Sequence, residues 1–447
     1  MEQLFSIKPD ATAKDLEESI KSNANNIEVC KQVAKHPNTS PKTLKELFGL
    51  VPVEVLNNPI IDLLILENPN FLTDLCKSCP DCFQDVPLPL FFLEWAINHA
   101  DSWLLCSIAI ATKTPVSILE KLASYDDREV RYQVARNPNI SENIIEKLAK
   151  DSDLDVLRGL TENQKTPSHV LENLASNKHS YVRCFIARNP NISEDVIEKL
   201  AKDSDLEVLR GLAENQKTPH HVLENLAFNK HSYIRSVVAI NPNISEEMIE
   251  KLAKDREIKV LRGLAENQKT PHHILENLSQ HQDNSIRQAV ASNQNISLSI
   301  MKQFLRDKSN SVKAALARNK KMTFIFLNEL AKNAINNQDT NEILPILLSI
   351  RLNPNITLEL EERLSQICIK TFQKLNSSQP FTLDFNEIRE FTDLEMKRVS
   401  WTKEIGRNYL LKTYGKKSRL HLTDRELIEF CQHIINLPTS EKIKKST

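Results

Sequence analysis

Glycine is scarce, at six in 447 residues. There is no Walker phosphate loop and no dinucleotide fingerprint, motifs whose glycines let backbone approach phosphate closely. There is also no G-x-S-x-G nucleophile elbow and no H-E-x-x-H helix. Aromatic residues make up 6% of the chain, and no aspartate with an aromatic cage can be assigned to a base pocket. Excess charge of either sign is missing as well. At a net charge of −1, no global field draws the chain to nucleic acid or an acidic membrane. No apolar run reaches the roughly 18 residues that span a bilayer. The start, MEQLFSIKPDATAKDLEESI, has no basic stretch leading into an apolar one, so no signal peptide is expected. Eight cysteines in so long a chain are too sparse for a disulfide framework and point to reduced thiols in a cytoplasm. The expectation is a cytoplasmic protein that is not an enzyme and needs no cofactor, with 40% hydrophobic residues available for a large core.

What is present is a period. Asn137, Asn163, Asn189, Asn215, Asn241, Asn267, Asn293 and Asn319 follow one another at 26 residues, and Ala111 extends the column upstream. Each unit reads as two short helices. Ile144, Ile145, Leu148 and Ala149 form the stripe of the second, and Val130, Val134 and Ala135 that of the first. Ser141, Ser193 and Ser245 are expected to cap the second helix in one unit type. In the other type Thr166, Thr218 and Thr270, each followed by proline, are expected to do so. The asparagine between the helices reads as a turn residue that tolerates left-handed φ. Units alternate, so the full period is 52; residues 135–183 and 187–235 differ at only seven of 49 positions. Gly159, Gly211 and Gly263 each lie inside a first helix, where close backbone approach to the next helix would justify them. A two-helix unit cannot bury its apolar stripe alone, so the units must stack, giving an all-α solenoid.

The units VRYQVARNPNISENIIEKLAKD and VLRGLAENQKTPHHVLENLA resemble the leucine-rich repeat variant family, closely over 105–332 and more weakly over 26–100 and 341–366. The resemblance implies a right-handed superhelix of alternating α- and 3₁₀-helices, similar in shape to HEAT and armadillo arrays, with no catalytic residues to carry over. The domain reading is an N-terminal segment (1–25), degenerate helical repeats (26–104) and regular repeats (105–332). Irregular last repeats (333–374) and a small helical C-terminal module (383–447) follow. In the degenerate region His36 and Asn68 fall in the asparagine column, as does Asn353 near the other end, after an eight-residue insertion around NAINNQDTNE. The tail, SWTKEIGRNYLLKTYGKKSR, resembles a small module found on assorted bacterial and mobile-element proteins. It reads as a helix capped by Ser400 or Thr402 and stopped by Gly415, followed by a capping box at Thr423 and Glu426.

Few residues carry candidate chemistry. Cys76, Cys79 and Cys82 have the C-x-x-C-x-x-C spacing of iron–sulfur ligands, with Cys30 or Cys106 as a fourth. Aligned on Asn68, however, Cys76 and Cys79 fall in core columns. Arg131, Arg183, Arg235 and Arg287, followed by Lys313, hold one column; Arg158, Arg210 and Arg262 hold its neighbour in alternate units. These ladders fit salt bridges between repeats, contact with nucleic acid, or contact with an acidic protein. His169, His220, His221, His272 and His273 stand at second-helix starts. Thr218 as cap would make His220 and His221 the second and third helical residues. No two-histidine i, i+4 pair exists, and histidines two units apart are too far to share an ion, so no metal site is expected. Partner contact by this exposed face is the functional alternative. The reading is a scaffold that engages a protein partner. A runner-up touches nucleic acid through the arginine columns or through Lys416, Lys417 and Arg419; a HEAT-like DNA-repair enzyme is a remote third.

Overall fold

The computed structural model describes residues 7–23, 26–78, 86–336, 340–374 and 385–437. These hold thirty α-helices, one 3₁₀ turn and no strand. They divide into two compact units, Met1–Val222 and Leu223–Thr447. Each is a stack of helical hairpins. In the first unit the first helices Arg128–Arg136, Leu154–Glu162, Ser180–Arg188 and Leu206–Glu214 pack successively on one another. The second helices Glu142–Leu148, Ser168–Leu174 and Glu194–Leu200 lie against their flanks. In the second unit Ser232–Ile240, Ile258–Glu266, Asn284–Ser292 and Asn310–Arg318 form the same inner row. The stripes read from the sequence are the core: Val130, Val134, Ile144, Ile145, Leu148, Val156 and Leu160 are all buried. Each such side chain contributes roughly 1.5–3 kcal/mol of transfer free energy.

Both helices of a unit are α-helical, where the family resemblance implies an alternation with 3₁₀. The seven residues ENIIEKL contain no breaker, and the Ala149 amide donates to the Ile145 carbonyl at 2.8 Å, an i to i−4 bond. Ser141, Ser193 and Ser245 do cap, accepting from the amides of Ile144, Val196 and Met248. Thr166, Thr218 and Thr270 do not. Their hydroxyls turn back and donate to Leu160, Leu212 and Leu264, each at 2.6 Å. These leucine carbonyls also accept the cap amides of Asn163, Asn215 and Asn267, so each threonine adds a second bond at the end of a first helix, where intrahelical donors run out. The second helix then starts after the proline, so His220 is its first residue and His221 its second.

The asparagine column departs most from expectation. Asn137 has extended backbone, φ −64° and ψ 129°, not left-handed, and its side chain is buried. The side-chain amide of Asn163 donates to the carbonyls of Ala135 (2.8 Å) and Asn137 (2.9 Å) in the preceding unit. Its oxygen accepts from the Lys165 amide (2.9 Å). Asn215, Asn267, Asn293, Asn319 and Asn353 repeat this pattern. His36 substitutes in the column as expected: its Nε2 lies 3.2 Å from the Lys8 carbonyl and its Nδ1 accepts from the Asn38 amide. The next member is Asn58, bonded to Ala34 and His36, and not Asn68, which is exposed. The helix Ile61–Glu67 is inserted between them. Cys76 therefore leaves the core column and is only half-buried, beside Leu72 and Leu75, which are buried.

Gly263 shows why the inner row needs glycine. A Cβ there would stand 2.8 Å from the Ser236 carbonyl and 3.1 Å from the Ala239 Cβ, in the first helix one unit earlier. At the C-terminal end the insertion lengthens a second helix to Phe324–Asn336. The polar break at 375–382 lies outside the described residues. Helix Phe385–Arg398 docks by Ile388, Phe391 and Met396. A fully buried Glu395 bonds Arg351 at 3.0 Å, and Arg351 also holds Glu361 at 2.9 Å. Arg398 joins Glu395 as well. Ser400, with φ 59°, ends this helix; Thr402 caps the next one, which Gly415 closes at φ 67°.

Candidate functional site

The first arginine column faces inward. Arg183 makes two bonds to Asp203, 2.6 and 3.0 Å, and donates to the carbonyls of Asn177 and Lys178. Arg131 with Asp151, Arg235 with Asp255 and Arg287 with Asp307 do the same. These four arginine side chains are at most 18% exposed. The Arg183 guanidinium holds the Asp203 carboxyl below the usual carboxylate range. Burial pushes Asp151 upward, but the Arg131 guanidinium and the amides of Asp153 and Ser152 together outweigh this and leave it low. Lys313 continues the column as a buried residue. Of the readings open for this column, Arg131, Arg183, Arg235 and Arg287 take the salt bridges between repeats and not partner contact: their donors are spent between the hairpins, with Asp partners 20 residues on.

The second column lies on the outer face of the first helices. Arg158 stacks between Tyr132, at 5.0 Å from the ring centroid, and Phe185, at 5.7 Å. It donates to the Tyr181 hydroxyl at 2.9 Å. Arg136 also lies over Tyr132, and Arg188 over Phe185. Carboxylates interleave. Arg188 and Arg210 both reach Glu214, at 3.1 and 2.7 Å, and Arg210 also reaches Glu207. A shallow groove of about 270 Å³ runs beside Phe185, Arg188 and Glu162. In the second unit Arg262 is more exposed and pairs with Glu266. The sequence placed Arg158, Arg210 and Arg262 in one column; the aromatic flanks supplied by neighbouring units were missed.

The histidine face has partners that lie on the preceding unit. His169 Nε2 is 3.8 Å from Glu146, His221 Nε2 is 3.3 Å from Glu198, and His273 Nε2 is 2.6 Å from Glu250. Glu142 and Glu194, one turn earlier on the same helices as Glu146 and Glu198, complete two three-residue groups. Within each, one donor atom per residue lies within 4.8 Å of the other two. His220 and His272 are exposed at the adjacent position. The signal was available: 26 subtracted from 169 gives 143, which is flanked by Glu142 and Glu146.

In the tail, Lys416 bonds Glu426 at 2.5 Å, and Arg419 bonds Asp393 at 2.6 Å and the Thr392 hydroxyl at 3.0 Å. The Lys416 contact holds Glu426 down at about 2. Of the three basic residues proposed for phosphate, Lys417 is the exposed one. Cys79 and Cys82 lie outside the described residues. Burial pushes the Cys76 thiol to about 12 and that of Cys106 to about 11; Cys30 is buried.

Stacked hairpins, internal ladders and an outward arginine–aromatic row define a helical-repeat protein of the α-solenoid class. No family model matches the chain. An uncharacterized protein of Synechocystis sp. is 52% identical over 56 residues, a match that spans 12% of this chain and 19% of that protein. No described helix is long and apolar enough to cross a membrane.

Proposed function

We propose that the protein is a non-catalytic repeat scaffold of the leucine-rich repeat variant type, which binds a protein partner through the outer face of its first helices. The observation that carries this reading is the row Tyr132, Arg158, Tyr181, Phe185 and Arg188. Tyrosine and arginine are the residue types that dominate binding energy at protein interfaces. Here the rings hold the guanidinium groups in place, so little side-chain entropy is lost on contact. Arginine alternating with Glu162, Glu207 and Glu214 suits a protein surface of mixed charge better than a phosphate backbone, which calls for continuous positive charge. Six cysteines among the described residues are free thiols, in keeping with a reducing cytoplasm.

The test is affinity capture with the full chain and with Arg158→Ala combined with Phe185→Ala, followed by identification of the captured proteins. A partner held by the native chain and lost at least tenfold by the double variant, with melting unchanged, is expected. Equal capture by both overturns the assignment of this face. Titration with single- and double-stranded nucleic acid should give no binding, or a log–log salt slope near zero; a steep slope would favour the nucleic-acid reading instead.

A further inference from the structure

We propose that the second-helix edge carries two tandem divalent transition-metal sites, one formed by Glu142, Glu146 and His169, the other by Glu194, Glu198 and His221. Each set joins two helices of adjacent hairpins. Glu142 and Glu146 are one turn apart on Glu142–Leu148, and His169 stands on Ser168–Leu174; the second set uses Glu194–Leu200 and the helix that begins at His220. The three donor atoms of each set lie within 4.8 Å of one another. Three ligands about 2.1 Å from a tetrahedral ion stand about 3.4 Å apart, so side-chain rotation on a fixed backbone closes the remaining distance. The residues are exposed, and rotation there costs little packing.

The donor set has chemical logic. Two carboxylates at i, i+4 repel each other, and a cation between them removes the repulsion. The imidazole comes from a different helix and supplies the borderline nitrogen donor that favours Zn²⁺ or Co²⁺ over Mg²⁺ or Ca²⁺. One nitrogen and two oxygens leave a coordination position open to water. The third histidine of this face differs. His273 sits 2.6 Å from Glu250 as a simple pair, and its set is not among the three-donor groups of the described residues. The structure therefore assigns two ions to the described residues, not three. Such ions would tie neighbouring hairpins together, and the inference is independent of the partner reading.

The experiment is calorimetric titration of the untagged full chain with Zn²⁺, with Co²⁺ absorption as a second readout. Two equivalents are expected for the native chain, one for His169→Ala or His221→Ala, and none for the double variant at these sites. Glu142→Gln with Glu194→Gln should weaken binding at least tenfold, while His273→Ala keeps both equivalents. Melting of each variant without metal should match the native chain, because the side chains removed are half exposed. Cobalt at these sites gives weak visible bands without thiolate charge transfer, which separates them from any ion held by cysteine. Equal stoichiometry in the native chain and the double histidine variant overturns the proposal. So does an absence of binding at submillimolar metal, which would leave the histidine–glutamate contacts as ion pairs only.

Discussion

Asn163→Ala is a direct test of how the hairpins are joined. The Asn163 side chain makes three hydrogen bonds: to the Ala135 carbonyl at 2.8 Å, to the Asn137 carbonyl at 2.9 Å, and from the Lys165 amide at 2.9 Å. The residue is only 7% exposed. Truncation leaves these groups behind with poor access to water. Each lost bond removes about 1 kcal/mol net, and a stranded buried carbonyl adds about 1–3 kcal/mol. Ala135 lies in the last turn of its helix and has no onward intrahelical partner, so its carbonyl bears that penalty in full. The expected loss is about 4–6 kcal/mol. Asn163→Asp should be worse at neutral pH, because it presents a carboxylate to two carbonyls where a donor stood, and it should recover partly in acid as the carboxyl protonates. Urea unfolding followed by circular dichroism measures the loss. Hydrogen exchange should place it in Arg128–Arg136 and Leu154–Glu162, since repeat arrays open locally. A loss below 1 kcal/mol, or exchange that rises uniformly along the chain, would refute the ladder as the main polar link between hairpins.

Asp203→Asn should cost about 1–3 kcal/mol at neutral pH by weakening the bidentate bond from Arg183. The folded carboxyl lies below its unfolded value near 3.9, so its contribution is complete above that pH and is lost as pH falls through the depressed value. Denaturation from pH 6 to pH 2 should therefore show the native chain converging on the variant below about pH 4; parallel curves would contradict the coupling. Gly263→Ala gains about 1 kcal/mol of helix propensity but drives a methyl against the Ser236 carbonyl at 2.8 Å, an overpacking that costs about 1–3 kcal/mol. A net loss of about 1 kcal/mol in urea unfolding is expected, and a stabilised variant would show that the first helices can move apart.

The hairpins were legible because a 26-residue period and an apolar stripe need no knowledge of neighbours. Their joints were less so. The asparagine column was plain in the sequence, yet nothing in a period says whether a column faces inward or outward. Asn163 reads as a turn residue until its partners 28 and 26 positions earlier are seen. Thr166 before proline looks like the start of a helix, but its hydroxyl serves the end of the previous one. Asp203 lies 20 residues beyond Arg183, and Glu146 lies 23 before His169; both pairs follow from hairpin packing rather than from position on one helix. Lys416 and Arg419 looked available for phosphate because Glu426 and Asp393, which neutralise them, stand 10 and 26 residues away.

A physical distinction follows from how the columns differ. The asparagines recur in every regular unit from Asn137 to Asn319, and they join consecutive hairpins. The Arg183-type pairs recur in alternate units, where they clamp one hairpin to the next and leave the intervening first helices with an outward arginine. That second column runs Tyr132, Arg158, Cys184 and Arg210. The rings that flank Arg158 come from units on either side. The 52-residue alternation therefore has different consequences inside and outside. Inside, it spaces the clamps; outside, it spaces the half-buried Arg158 and Arg210 by two hairpins. A partner that reads this face meets arginine at every second step, so adding or removing a single 26-residue unit should break recognition while leaving the asparagine ladder able to close, whereas a 52-residue change should preserve both.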